Sequence, residues 1–110
     1  MDSKNIYIAY MHFSNNIEWK MHRETEWMYL GVGKEFREVE AVELVNSFFS
    51  ENDIFFITDR HNSFMIGKSE AILKVKEYIA ENDPVLANKD FSKMIEYNKI
   101  GVVRKGQRSL

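Results

Sequence analysis

The stretch IFFITDRHNSFMIGK, from Ile54 to Lys68, decides the fold that the sequence predicts. It contains two apolar runs, IFFI at 54–57 and FMI at 64–66, separated by the polar segment DRHNS at 59–63. Short apolar runs on either side of a polar loop are typical of a β-hairpin. Neither run alternates between apolar and polar residues, so we expect other elements to cover both faces of these strands. We therefore predict that this hairpin lies in the middle of the fold.

Length and composition predict a single α+β domain over residues 1–103. The chain has 110 residues, of which 45% are apolar and 29% charged, and this composition is typical of a globular protein rather than a disordered one. It has no cysteine, which excludes disulfides and thiolate metal sites and suits a reducing cytoplasm. There is no signal-peptide pattern and no apolar run near the roughly 18 residues of a membrane span. We expect a cytoplasmic protein that does not enter a membrane.

The residues before the hairpin predict three strands and one helix. Residues 5–13 are rich in β-branched and aromatic side chains and predict a strand, although strict alternation fails at Ala9 and Met11. Residues 17–22 alternate and are expected to pair with that strand in an N-terminal hairpin, and residues 27–30 predict a third strand. Residues 38–50 change to a helical period. A polar arc lies opposite the predicted buried arc, which consists of Ala41, Val42, Leu44, Val45, Phe48 and Phe49.

The residues after the hairpin predict two helices and a last strand. A helix over 69–81 is expected to begin with Ser69 as its N-cap and to end before Pro84. Its predicted buried stripe consists of Ala71, Ile72, Val75, Tyr78 and Ile79. A short third helix is expected over 89–97 with Asn88 as its cap, and residues 100–103 predict a last strand. Residues 104–110 are basic and have no apolar pattern, so we expect a mobile tail.

This order of elements predicts an antiparallel sheet of about five to six strands with two main helices packed on it. From Trp27 onward the order is compatible with a ferredoxin-like βαββαβ core, preceded by the N-terminal hairpin. In that arrangement the N-terminal hairpin covers the second face or an edge of the sheet. The alternative is a plain antiparallel sheet with helices on one side.

The motifs that carry chemistry are weak. His12, His22 and His61 have no metal-binding spacing, so we expect no metal and no cofactor. The segment Gly31–Lys34 is too short for a phosphate loop, and its glycines are better explained by entry into the following helix. The loop 59–63 combines acid, base and nucleophile side chains. It could form an enzyme site together with His22, Arg23 or Glu24, although neighbouring side chains rarely assemble a catalytic geometry.

The charge distribution favours protein binding over nucleic-acid binding. Residues 1–53 carry ten acidic and five basic side chains (net −5), whereas residues 54–110 carry seven and ten (net +3). Phosphates could be contacted by the basic residues Lys99, Arg104, Lys105 and Arg108. However, the sequence lacks the aromatic motif that is typical of RNA-recognition modules, and its net charge is −2. Acidic surfaces steer basic partners. The predicted partner-binding residues are Glu35, Glu38, Glu40, Glu43, Glu51, Asp53, Arg60 and His61.

These observations lead to one functional hypothesis and two alternatives. The hypothesis is a small protein-binding module that occupies a partner, such as an immunity protein or a phage-type inhibitor. The first alternative is a small enzyme or enzyme subunit with its site around the loop 59–63. The second alternative is a nucleic-acid-binding module.

Overall fold

The computed structural model describes residues 1–108, which form three helices and an open seven-stranded antiparallel sheet. The helices are α1 (Ser3–Ser14), α2 (Glu38–Phe48) and α3 (Lys68–Tyr78), with a 3-10 turn at Gly33–Glu35. The strands are β1 (Ile17–Trp19), β2 (Met28–Tyr29), β3 (Asp53–Ile57), β4 (Ser63–Gly67), β5 (Val85–Ala87), β6 (Lys93–Asn98) and β7 (Val102–Arg108). None of the helices within these residues is long and apolar enough to cross a bilayer.

The sheet has the strand order β1-β7-β6-β5-β3-β4, and β2 also pairs with β7. Since β6 occupies one side of β7, the short strands β1 and β2 share its other side. The ferredoxin-like arrangement is not confirmed, because β6 and β5 separate β7 and its partner β2 from the β3–β4 hairpin. The predicted α+β class and antiparallel pairing are confirmed.

The two faces of the sheet are covered by different helices. Ile54 and Phe56 of β3 belong to the core under α2 and α3, whereas Phe55 and Ile57 belong to a second core that includes Ile6 of α1. All four β3 residues are at most 5% exposed. This confirms the expectation that both faces of β3 are covered. However, β4 forms the edge of the sheet, so the hairpin as a whole is not at its middle.

Residues 3–14 form a helix, and the predicted strand over 5–13 is wrong. The Asp2 side chain caps the helix by accepting a hydrogen bond from the N–H of Asn5 at 2.9 Å. Ile6, Tyr10 and Phe13 all pack into the second core, and their spacing is that of one helical stripe. The predicted N-terminal hairpin is therefore absent from the described residues, and β1 pairs with β7 instead.

Residues 93–98 form a strand, and the predicted helix over 89–97 is wrong. Asn88, expected to cap that helix, instead stabilises the turn between β5 and β6: its Oδ1 accepts a hydrogen bond from the N–H of Lys93 at 2.9 Å. Phe91 in this turn has a positive φ of 58°. Cross-strand pairing with both β5 and β7 overrides the helical spacing of the apolar residues.

The ends of three other elements differ from their predicted positions. β7 continues to Arg108, so residues 104–108, assigned to a basic tail from the sequence, lie in a strand paired with β6 and β1; residues 109 and 110 lie outside the described residues. The predicted helices over 38–50 and 69–81 are confirmed as α2 and α3, both with earlier ends. Ser69 is not the N-cap of α3, since that position is Gly67, which has no side-chain bond.

Candidate functional site

An open groove between α2 and α3 is the candidate functional site. The first turn of α2 lies beside the last turn of α3, where a carboxylate oxygen of Glu38 is 4.0 Å from Nζ of Lys76. Two cavities of about 570 and 480 Å³ lie along the two helices and share Val42, Ser69 and Ile72 in their linings. Because they share these residues, the two cavities are neighbours, and the smaller one extends to Asp53 at the start of β3. We call the two cavities together the α2–α3 groove.

The α2–α3 groove has an apolar floor that is open to solvent. Val39 is 69% exposed, Leu73 is 63% exposed and Val42 is 39% exposed, and all three line the larger cavity. Ile72, which lines both cavities, is 4% exposed. Apolar side chains grouped on one surface are a common feature of interaction sites.

Acidic side chains line this apolar floor. Glu38 and Glu43 of α2 line the larger cavity, and Asp53 of β3 lines the smaller one. Lys68 also lines the smaller cavity, but its Nζ donates a hydrogen bond to the carbonyl oxygen of Phe49 at 2.8 Å. That bond places the ammonium at the carbonyl end of α2, where a cation is favourable. The lining of the groove is therefore negative overall, with three carboxylates and one ammonium.

The other predicted acidic residues lie outside the groove lining. The carboxylate of Glu35 accepts a hydrogen bond from the Tyr29 hydroxyl at 3.1 Å, and this bond raises the pKa of Tyr29. The carboxylate of Glu51 accepts one from the N–H of Lys89 at 3.4 Å. Glu40 is exposed on α2 but lines neither cavity. The structure thus brings together only part of the predicted acidic surface.

Arg60 and His61 line neither cavity of the α2–α3 groove. They are in the β3–β4 loop, at the opposite end of β3 from Asp53, and a five-residue strand separates the two ends by roughly 13 Å. Within the hairpin, Arg60 and His61 are therefore separated from Asp53.

The β3–β4 loop is closed by its own hydrogen bonds. The carboxylate of Asp59 accepts hydrogen bonds from the backbone N–H groups of His61 at 2.8 Å and Asn62 at 2.9 Å, and the first of these contributes most to a lowered pKa of Asp59. The hydroxyl of Ser63 donates to the Asp59 carbonyl oxygen at 2.7 Å. These bonds explain the polar composition of the loop as turn structure.

The residues proposed to complete an enzyme site lie near the opposite edge of the sheet from the β3–β4 loop. His22, Arg23 and Glu24 follow β1 and are separated from the β3–β4 loop by the strands β7, β6 and β5. His22 Nε2 is buried and has no hydrogen-bond partner among residues 1–108. The structure does not bring these three residues to the loop.

The four basic residues weighed for nucleic-acid contact do not share one surface. Arg104 is bound by Glu96 at 2.7 Å and Glu26 at 3.0 Å, and its guanidinium lies 3.9 Å from the ring centroid of Trp19. Lys105 lies beside Phe48 of α2, and Lys99 is in the turn between β6 and β7. The remaining residue, Arg108, lies over the ring of Phe13 of α1.

The apolar floor of the groove was missed by sequence reasoning. Val39 and Leu73 fall outside the buried stripes predicted for their helices. Their position is the sequence signal that indicates an exposed apolar surface. Val42 belongs to the predicted buried arc of α2, but it is 39% exposed because it lines the cavity between α2 and α3. Apolar residues outside the buried stripe of an amphipathic helix thus mark this surface.

Comparisons with known proteins assign no family to the chain. No protein-family model matches the chain, and neither the curated proteins nor the solved structures include a significant match. Within residues 1–108, no group of three or more His, Asp or Glu side chains is arranged to hold a metal ion.

Proposed function

We propose that this protein acts by occupying another protein, whose basic and apolar side chains dock into the α2–α3 groove. The observation that carries the proposal is an exposed apolar floor lined by carboxylates. An immunity protein or a phage-type inhibitor acting in the cytoplasm fits this description, because such a protein works through one occupied surface.

The apolar floor supplies affinity in this proposal. Val39, Val42 and Leu73 together expose apolar surface that a partner would remove from water. Burial of apolar surface contributes roughly 25 cal/mol per Å² before the costs of association are counted. Apolar anchors near the centre of an interface commonly contribute most of the binding energy.

The acidic lining supplies orientation and partner selection. Glu43 and Asp53 are exposed, and no ion pair within residues 1–108 involves either of them. A partner segment with Lys or Arg beside its apolar residues would place its cations against these carboxylates. Such complementarity acts mainly on the rate of association and on the rejection of acidic competitors.

The experiment compares Glu43→Lys with Glu40→Lys. Both glutamates are exposed on α2 and both substitutions change the net charge equally, but only Glu43 lines the groove. A partner captured from the native host by the wild-type protein is purified, and its Kd is measured for both variants. We expect Glu43→Lys to weaken binding by about tenfold or more, equivalent to about 1.4 kcal/mol, and Glu40→Lys to leave it nearly unchanged.

A third variant, Leu73→Ser, tests the apolar floor without changing charge. Its Kd should rise at both low and high salt, whereas the effect of Glu43→Lys should shrink at high salt because exposed charges are screened. Equal weakening by Glu40→Lys and Glu43→Lys, or no effect of either Glu43→Lys or Leu73→Ser, would remove the groove from the mechanism. Unfolding free energies within about 0.5 kcal/mol of wild type would show that the variants are folded.

A further inference from the structure

A second concave surface lies beyond the C-terminal end of α2, next to β1 and β7. It is a cavity of about 420 Å³, and its lining includes Lys20, Phe48, Lys105 and Gln107. Ligand sites in proteins commonly have volumes of roughly 300–1,000 Å³, so this cavity is large enough for a small molecule. We call it the lysine pocket.

The two cations of the lysine pocket are neighbours, and neither has a carboxylate partner within the described part of the chain. The backbone N–H of Lys20 donates a hydrogen bond to the Lys105 carbonyl oxygen at 2.8 Å, which places the two residues side by side. No ion pair within residues 1–108 involves either ammonium. Burial and the nearby Lys20 ammonium lower the pKa of Lys105. An anion in this pocket would relieve the repulsion between the two cations.

The C-terminal end of α2 does not account for these two lysines. Helix ends attract cations because their last carbonyl groups carry partial negative charge. Here Lys93 Nζ donates to the Phe48 carbonyl oxygen at 3.1 Å, and Lys68 Nζ donates to the Phe49 carbonyl oxygen at 2.8 Å. The helix end thus already has two cations, and Lys105 lies beside the Phe48 ring, with Nζ 5.6 Å from its centroid.

We infer that the lysine pocket binds a phosphate group carried by a small molecule, with Lys20 and Lys105 as cationic contacts and the Gln107 amide as a neutral donor. Two ammonium groups match the charge of a phosphate dianion, and lysine binds phosphate as a compact point charge. Phe48 offers an apolar wall for the body of such a ligand.

Glu18 limits what else could enter the lysine pocket. Its exposed side chain also lines the cavity, so the lining carries two cations and one anion. A single phosphate placed on the lysine side avoids this carboxylate, whereas an extended polyanion such as a nucleic-acid strand would not. The chemistry therefore favours a small phosphate ester.

The test uses inorganic phosphate and phenyl phosphate as probes, with acetate as the carboxylate control. Backbone amide NMR shifts are followed during titration of wild-type protein and of Lys20→Gln, Lys105→Gln and Lys99→Gln. Lys99→Gln is the matched control, because Lys99 is exposed in the β6–β7 turn and outside the pocket lining. Melting curves confirm that each variant is folded.

We expect both phosphate probes to shift the amides of Lys20, Lys105 and Gln107 with saturable binding, and acetate to bind more weakly. Loss of either lysine should weaken binding by about tenfold or more, because each substitution removes one charged contact to the phosphate. Tighter binding of phenyl phosphate than of inorganic phosphate would support an ester as the ligand. Equal loss in Lys99→Gln, equal binding of acetate, tighter binding of free phosphate, or no saturation below about 10 mM would overturn the inference.

Discussion

Arg104 and Lys105 are consecutive residues of β7, and their side chains lie on opposite faces of the sheet in opposite electrostatic situations. The guanidinium of Arg104 lies between the rings of Trp19 and Trp27 and contacts two carboxylates. The ammonium of Lys105 lies beside Phe48 and near another lysine. The charge of Arg104 is therefore compensated inside the protein, whereas the charge of Lys105 is available to a ligand.

Tyr10 of α1 and Tyr97 of β6 also differ in whether their polar groups have partners inside the protein. The hydroxyl of Tyr10, on the α1 face, donates a hydrogen bond to Glu96 at 3.0 Å. The hydroxyl of Tyr97, under α2 and α3, is buried and has no hydrogen-bond partner among residues 1–108. On the α1 face, hydrogen bonds thus join Tyr10, Glu96, Arg104 and Glu26 in one network. The opposite face carries both proposed binding surfaces.

Removal of α1, which covers one face of the sheet, should have the largest effect on stability. Deletion of residues 1–14 exposes Phe55, Ile57 and their neighbours, and we expect the protein to lose its cooperative melting transition, because the margin of a typical domain is only about 5–15 kcal/mol. Calorimetry of the truncated protein checks this. A truncated protein that still melts cooperatively would show that α1 is an appendage.

Single substitutions in α1 give a graded version of that test. Ile6 is 1% exposed and Ile8 is 51% exposed. Ile6→Ala should therefore destabilise by about 2–5 kcal/mol, and Ile8→Ala by no more than about 0.5 kcal/mol. In the strand predicted from the sequence, both side chains would lie on one face, so similar losses in urea unfolding would contradict the helix.

The two tyrosines should respond in opposite directions to removal of their hydroxyl groups. Tyr10→Phe removes a hydrogen bond to a carboxylate and should destabilise by about 1–2 kcal/mol. Tyr97→Phe removes an unpaired buried hydroxyl and should be neutral or stabilise by up to about 1 kcal/mol. Urea unfolding of the two variants checks the signs. A clear loss of stability in Tyr97→Phe would mean that its hydroxyl has a partner.

Alkaline pH should destabilise the protein through the same tyrosines. Burial, with the Glu96 carboxylate as the second cause, raises the pKa of Tyr10, and burial raises the pKa of Tyr97. Above the ordinary pKa of 10.0 the unfolded chain loses these protons while the folded protein keeps them, so the free energy of unfolding falls as pH rises. Lys105 acts in the opposite direction between its lowered pKa and 10.5.

Each raised tyrosine should contribute a slope of up to about 1.4 kcal/mol per pH unit above pH 10, and Tyr97→Phe should remove one such contribution. Urea unfolding at several alkaline pH values measures the slope. Equal slopes for the wild-type protein and Tyr97→Phe would contradict the assignment.

The sequence predicts the fold correctly in segments where the local residue pattern indicates only one kind of element. The amphipathic period of α2 and the polar segment between β3 and β4 agree with their surroundings in the structure. Residues 5–13 have a β-rich composition, yet Ile6, Tyr10 and Phe13 fit a helical stripe that packs on the sheet. Tertiary packing decided between two patterns that the sequence contains.

Tertiary packing also explains why the predicted helix over 89–97 is a strand. Phe91, Met94 and Ile95 have helical spacing, but β5 and β7 provide hydrogen-bonding partners on both sides of β6. Such non-local partners are invisible in a single sequence. The same limit applies to the candidate site. The charge pattern of the sequence indicates an acidic surface on α2, but the groove also depends on how α3 packs beside α2.

The central claim, that the two faces of β7 have different roles, is tested most directly by comparing Arg104→Gln with Lys105→Gln. Both substitutions remove one positive charge from the same strand. Urea unfolding at pH 7 should show a loss of about 2–3 kcal/mol for Arg104→Gln, which leaves Glu26 and Glu96 without their cation. Lys105→Gln should change stability by less than about 0.5 kcal/mol. Equal losses in the two variants would contradict the distinction between a cation held by internal carboxylates and a cation available to a ligand.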